Sequence, residues 1–411
     1  MRKRSLGVSV LGVIVVAAVA ATTPAAAATK PTASTLQPPP VKILTDECGS
    51  QGGDIFIAPY GDSGTYANGA EILSPDGKKV VWFHRAPAGD EDADFRTQTY
   101  DGQPVLTFWE GTGLGGVSTG VDYIYNDKYQ VIATVKAGSG LSADGHEFLI
   151  TPWNTALVLS YTTATANLTS IGGPVDQTVI DGVAQEIDIK TGEVRFQWNS
   201  ADHVPYSESE QPLPASASDP WDWFHINAVK LDTNGNLIID ARDTWTTYEV
   251  SPTTGKILWQ LGGKDSSFKL AAAKGQALDS AGEIFAWQHD PEAHGDGIYT
   301  FFDNEAAGTA NTGDSALVDL SYSRAITLKV DFSSHIATLV SANAQPEDKS
   351  APSQGNVQVL KGGGEFVGWG SLPYFSQYTA SGKLTFNAEF PVGVNTYRAY
   401  RLPWKSAANG R

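Results

Sequence analysis

Phe224-His225-Ile226-Asn227-Ala228-Val229 opens a unit that decides the fold, and the rest of the unit runs to Gly263. Asn234-Gly235 is a hairpin signal, because both residues adopt positive φ without strain. Residues 237–242 return, Thr247-Tyr248-Glu249-Val250 makes a third strand, Thr254-Gly255 turns, and Ile257-Leu258-Trp259 closes the unit. A two-residue turn at Asn234-Gly235 sets Asn227 opposite Arg242. Strand side chains alternate, so His225 and Asn227 share a face. A histidine, an amide and a guanidinium then converge at one strand end.

The last hairpin of this unit recurs along the chain. Ser74-Pro75-Asp76-Gly77-Lys78 precedes Val80-Val81-Trp82-Phe83, and Asn126-Asp127-Lys128 precedes Val131-Ile132-Ala133. Asp188-Ile189-Lys190-Thr191-Gly192 leads into Val194-Arg195-Phe196-Gln197-Trp198, and Ser251-Pro252-Thr253-Thr254-Gly255 into Ile257-Leu258-Trp259. Asp331-Phe332-Ser333-Ser334 and Thr379-Ala380-Ser381-Gly382 complete six copies, with no amphipathic helix of any length between them. Six four-strand units in series predict an all-β fold, a six-bladed β-propeller of four-stranded antiparallel blades. The first unit lacks its innermost strand. Residues 396–402 have no other partner and are expected to supply it, closing the ring and removing an open sheet edge.

The bulk numbers narrow the function. The chain has 411 residues and a net charge of −17, which excludes nucleic acid and anionic membranes as partners. Forty-two glycines and 11 tryptophans suit a turn-rich β protein. Residues 1–28 read as a secretory signal: Arg2-Lys3-Arg4, an apolar run over 6–21, and Ala25-Ala26-Ala27-Ala28 for cleavage. That run is short for a membrane span, so no stable insertion is expected after cleavage, and the product is secreted or extracytoplasmic. Residues 29–45 read as a Pro/Thr-rich linker, 46–405 as the propeller and 406–411 as a tail. A single cysteine, Cys48, leaves stability to the core rather than to an intrachain disulfide.

In a propeller, first-strand starts and second-strand ends ring one mouth. The repeat places His146, His225 and His289 at first-strand starts, Asn356 at the position of Asn227, and Arg242 at a second-strand end. Arginine forks match sulfate or phosphate oxygens. A neutral histidine can be a nucleophile, and a second can protonate a leaving oxygen. Three histidines could also hold zinc, but Arg242 beside them opposes a cation, so no metal is expected. His203 serves either as a wall of the mouth or as a loop anchor. Trp287 and its neighbours serve either as core or as a stacking surface for an aromatic substrate.

Taken in order, Gly182-Val183-Ala184-Gln185-Glu186-Ile187-Asp188, Asp202-His203-Val204-Pro205, Trp221-Asp222-Trp223-Phe224-His225-Ile226-Asn227, Phe285-Ala286-Trp287-Gln288-His289-Asp290, Phe302-Asp303-Asn304 and Ser353-Gln354-Gly355-Asn356 resemble the arylsulfotransferase family of secreted propellers. The likeness covers nearly all of the chain after the linker. It implies transfer of a sulfo group from an aryl sulfate ester to a phenol, with no nucleotide sulfate donor and no cofactor. It also implies a sulfohistidine at the position of His289, with His225, Asn227, Arg242 and His146 as stabilisers. Asp243, directly after Arg242, departs from the expected anion site. The absence of a P-loop-like glycine-lysine motif and of a sulfatase-type cysteine agrees with this reading. Two alternatives stay open: a quinone-cofactor propeller dehydrogenase and a non-catalytic propeller scaffold.

Overall fold

A computed structural model describes residues 35–47, 52–279, 282–305 and 322–407. The expected signal, residues 29–34 of the expected linker, Cys48 and residues 408–411 lie outside these. The architecture is the expected ring of six antiparallel blades. Numbered by the order in which their outer strands occur, the first blade runs outward as Asn395–Leu402, Asp54–Tyr60, Glu71–Leu73, Val80–Phe83. Its innermost strand is therefore the last strand of the chain. Asp54 pairs with Leu402 and Ile57 with Ala399. The inner strands of blades two to six are Glu91–Tyr100, Asp144–Ile150, Ile226–Leu231, His289–Ala293 and Asn356–Val359.

The ring is closed a second time. Lys42–Asp46, all but its last residue in the stretch read as linker, adds a fifth strand outside Leu384–Glu389 of blade six, with Lys42 opposite Glu389. Both chain ends thus cover sheet edges that would otherwise be open. Two further blades carry a parallel strand: Lys269–Ala272 lies outside Ile336–Ala344 of blade five, and Trp221–Asp222 pairs with the third strand, Gln177–Asp188, of blade three.

A single four-stranded sheet cannot bury both of its faces, so the core lies between blades. Leu157, Trp198, Phe224, Ile226 and Tyr248 fill the space between blades three and four. Trp259, Phe285, Phe301 and Leu328 do so between four and five, and Phe56, Phe95, Leu106 and Phe108 between one and two. Burial of such side chains contributes about 1.5–3 kcal/mol each, which accounts for stability without a disulfide.

The axis is filled by charge. Asp94, Arg96, Glu147, Lys230, Asp290 and Arg398, all from inner strands, are buried together. Arg398 Nη1 lies 3.0 Å from Asp94 Oδ1, Arg398 Nη2 3.1 Å from Glu147 Oε2, and Lys230 Nζ 2.6 Å from Asp290 Oδ1. Three cations face three carboxylates, which makes so much buried charge tolerable. Glu147 follows His146 and Asp290 follows His289, so this network sits one residue along the same strands that carry two of the histidines.

Candidate active site

Three inner-strand starts bring His146, His225 and His289 to one cavity of about 180 Å³, shared with Arg242, Gly115, Pro352, Ser353 and Gln354. The rings of His146 and His225 meet edge-on, with centroids 5.1 Å apart. The backbone here is strained. Positive φ occurs at His225 (49°), Trp245 (52°), Trp287 (58°), Asp290 (54°) and Gln354 (66°). Bulky residues adopt this region only when their surroundings force it, and such positions gather at functional sites.

Each histidine has its Nδ1 held. His289 Nδ1 is 2.7 Å from Asn304 Oδ1 and 3.1 Å from the Trp287 carbonyl, and its Nε2 accepts the Gln354 N–H at 3.2 Å. Burial, then the positive charge of Arg242, push His289 well below the usual imidazole range. His225 Nδ1 is 2.5 Å from Asp222 Oδ2. Burial opposes the charged form of His225, but Asp222 and then Asp243 outweigh it and raise its pKa. His146 Nδ1 pairs with Asp144 Oδ1. Burial alone would raise Asp144, yet His146 and hydrogen bonds from Ser118 hold it below the usual carboxylate range.

Arg242 lies 4.9 Å above the Trp287 ring, which in turn meets Trp245 edge-on at 5.2 Å. Its Nη1 donates to Asp243 Oδ1 at 2.6 Å and its Nη2 to the Pro352 carbonyl at 3.1 Å. Burial drives the Asp243 pKa up despite the attraction of Arg242 and His225.

The expected register of the deciding hairpin is corrected here. Ile226 pairs with Ala241 and Ala228 with Asp240, with a bulge at Asn227 between them. The turn is longer than two residues, since Asp232 N–H reaches the Asn236 carbonyl. Arg242 therefore lies opposite His225, its N–H donating to the His225 carbonyl at 3.0 Å. The bulge and the left-handed His225 also break the alternation that would have put His225 and Asn227 on one face. Asn227 is buried and turns to the next blade, where its Nδ2 donates to the Gln288 carbonyl at 2.7 Å.

Asn356 also works between blades, donating to the Ala399 carbonyl and accepting the Ala399 N–H. His203 is stacked on Trp198 with centroids 5.0 Å apart, beside Gly255, and does not line the cavity. Trp287 is fully buried and supports Arg242 from below. Asp144, Asp222, Asn304 and Gln354 belong to the site without having been anticipated as parts of it. The first two carried a readable signal: Asp144-Gly145-His146 and Asp222-Trp223-Phe224-His225 each put a carboxylate two or three residues before a histidine.

Among the described residues, Asp222, His225 and Asp243 offer donor atoms within 4.8 Å of one another, as do His84, Asp92 and Glu110. In the first group Asp243 is already engaged by Arg242, whose charge opposes a cation. In the second, His84 Nε2 bonds Glu110 Oε2 at 2.8 Å.

A family model described as Arylsulfotransferase (ASST) matches residues 96–391, from the second blade to the sixth. The chain belongs to the arylsulfotransferase family. No curated protein matches it. Similar solved structures include a protein of unknown function from Bacteroides caccae, at 11% identity and a TM-score of 0.46, covering 85% of this chain and 99% of that one. A Lactobacillus plantarum protein is 12% identical with a TM-score of 0.39, covering 86% and 100%. Virginiamycin B lyase from Staphylococcus aureus is 9% identical with a TM-score of 0.35, covering 86% and 89%. For an arylsulfotransferase family member, the six blades and their axial cavity are the frame in which the histidines must be read.

Proposed function

We propose that this arylsulfotransferase family member moves a sulfo group from an aryl sulfate ester to a phenol through a covalent intermediate on His289. One observation supports the reading above others. A single cavity holds one histidine whose surroundings favour the neutral form and another whose surroundings favour the cation. Such divergence assigns nucleophile and acid.

His289 attacks sulfur through Nε2, giving up the hydrogen bond that this atom accepts from the Gln354 N–H, and the bond from sulfur to the aryl oxygen breaks. His225, whose Nδ1 is held by Asp222, protonates the departing aryl oxide through Nε2. Arg242 neutralises charge on the sulfo oxygens, aided by His146. A phenol then enters, gives its proton to the now neutral His225 and attacks sulfur. The nitrogen–sulfur bond breaks and His289 is regenerated. The leaving group and the acceptor are both phenols, so the reaction is reversible and the kinetics are ping-pong. A cavity of about 180 Å³ suits the sulfo group, with the aryl ring at the mouth beside Gly115, Pro352 and Ser353. We propose export of the chain as well, which agrees with chemistry that needs no nucleotide donor.

The test is mass spectrometry after mixing the protein with 4-nitrophenyl sulfate and no acceptor. A sulfo adduct on His289, absent in His289→Ala, is expected. Turnover without an adduct, requiring both substrates bound together, overturns the covalent route.

A further inference from the structure

The three histidines differ in what holds Nδ1: a carboxylate for His146 and His225, an amide for His289. We infer that Asn304 is a positioning residue that fixes the His289 proton on Nδ1 and so leaves Nε2 as the acceptor nitrogen of the ring. The consequence for catalysis rests on the sulfo-transfer reading; the tautomer does not.

The orientation of the Asn304 amide follows from its other partners. Its nitrogen lies 2.8 Å from the Ala351 carbonyl and 3.0 Å from the Gln354 carbonyl. Carbonyls only accept, so this atom must be the NH₂ group and the other, facing His289, must be the oxygen. That oxygen also only accepts, as does the Trp287 carbonyl. Nδ1 must therefore carry the proton. Nε2 is left as an acceptor, and it receives the Gln354 N–H. A flipped amide would set its oxygen against the Ala351 and Gln354 carbonyls and its NH₂ against the Nδ1–H, and Asn304 is fully buried, with no solvent to relieve them.

Charge supplies the second half. The titratable and charged groups facing His289 are Arg242, His146 and His225, all cationic when charged. Among the described residues, the hydrogen-bond partners of its ring nitrogens are the Trp287 carbonyl, the Asn304 amide oxygen and the Gln354 N–H, none of them a carboxylate. His225 instead faces Asp222 and Asp243, with Arg242 opposing and the His146 ring edge-on beside it. An aspartate at position 304 would give His289 the same kind of partner that His146 and His225 have. A carboxylate at that distance raises an imidazole pKa by about 1–3 units. The amide keeps the orienting hydrogen bond and omits the charge.

The experiment uses the full chain with ¹⁵N-labelled imidazoles, reading tautomer and titration by NMR, with His289 assigned by difference from His289→Gln. His289 of the parent is expected in the Nδ1–H neutral form at pH values where His225 is cationic. In Asn304→Asp its apparent pKa should rise by about 1–3 units. The acid limb of kcat/KM for 4-nitrophenyl sulfate with phenol should move up by the same amount. If Asn304→Asp does not fold, Asp222→Asn supplies the reciprocal: the His225 pKa should fall and the alkaline limb should move to lower pH. An Nε2–H tautomer in the parent overturns the inference. So does an unmoved His289 pKa in folded Asn304→Asp, or an unmoved His225 pKa in Asp222→Asn. The expected tautomer and shifts without turnover of any aryl sulfate would uphold the role of Asn304 and sink the sulfo-transfer reading.

Discussion

Arg242 Nη1 sits 2.6 Å from Asp243 Oδ1, so the guanidinium of the cavity is already engaged by an anion of its own chain. A sulfo group must compete with that carboxylate. Asp243→Asn keeps an acceptor for Arg242 and removes the competing charge. KM for 4-nitrophenyl sulfate should fall by about tenfold, equivalent to roughly 1.4 kcal/mol. Asp243 also helps to raise the His225 pKa. The same variant should therefore move the alkaline limb of the rate profile to lower pH. An unchanged KM would show that Asp243 does not shield the anion site.

Arg242 does two things that a lysine cannot. Its plane stacks on Trp287, and its two terminal nitrogens reach separate partners. Arg242→Lys keeps the charge and loses both. Removing one well-placed donor from a transition-state anion site costs roughly 10²–10³ in rate. A fall of at least about a hundredfold in kcat/KM is expected, with a normal thermal transition. Activity within threefold of the parent, roughly 0.7 kcal/mol, would reduce Arg242 to a bystander charge.

The ring was legible because it rests on period. Six turn-and-strand signals, one missing inner strand and one spare terminal strand leave few other arrangements. His146, His225 and His289 were legible for the same reason, since equivalent repeat positions open on the same face. Asn227 shows where that reasoning stops. Its partner depended on turn length and on a bulge, and a shift of one residue turns a side chain to the other face. Asn304 shows a different limit. It stands two residues past Phe302, the partner of His289 on the adjoining strand, so finding it required the register of a hairpin whose pairing is irregular beyond His289. The axial network was invisible for a related reason. Asp94, Glu147, Lys230, Asp290 and Arg398 come from five inner strands and become neighbours only when the ring closes.

Glu71 gives stability a pH dependence. It lies between Ile57 and Phe83 on neighbouring strands, fully buried, and neither of its oxygens has a partner. Burial pushes its pKa from 4.5 up to about 8. The folded chain thus keeps this proton through a window where the unfolded chain has lost it. The folded state binds more protons there, so stability falls as pH rises from about 4.5 to about 8. Glu71→Gln cannot ionise and escapes the penalty. Its Tm should match the parent near pH 4 and exceed it by at least about 3 °C above pH 8. A gain that is equal at both pH values would mean that packing, not ionisation, is responsible.

Arg398 joins the closing strand to the rest of the ring by charge. From the last strand of the chain it reaches Asp94 of blade two, Glu147 of blade three and Asp290 of blade five. Strand pairing joins the closing strand to blade one, and Asn356 and Gln358 of blade six bond its backbone at Ala399 and Arg401. Arg398→Met preserves the apolar stem and leaves buried carboxylates with too little positive charge. Breaking a buried pair in this way costs about 3–5 kcal/mol, because the orphaned charge remains out of water. The urea midpoint at pH 7 should fall accordingly. Arg398→Met with Glu147→Gln should recover part of the loss, since the second change removes one orphaned charge. Lowering the pH should narrow the gap between Arg398→Met and the parent, as the stranded carboxylates take up protons. If Arg398→Met were within about 1 kcal/mol of the parent at pH 7, strand pairing and packing alone would be closing the ring.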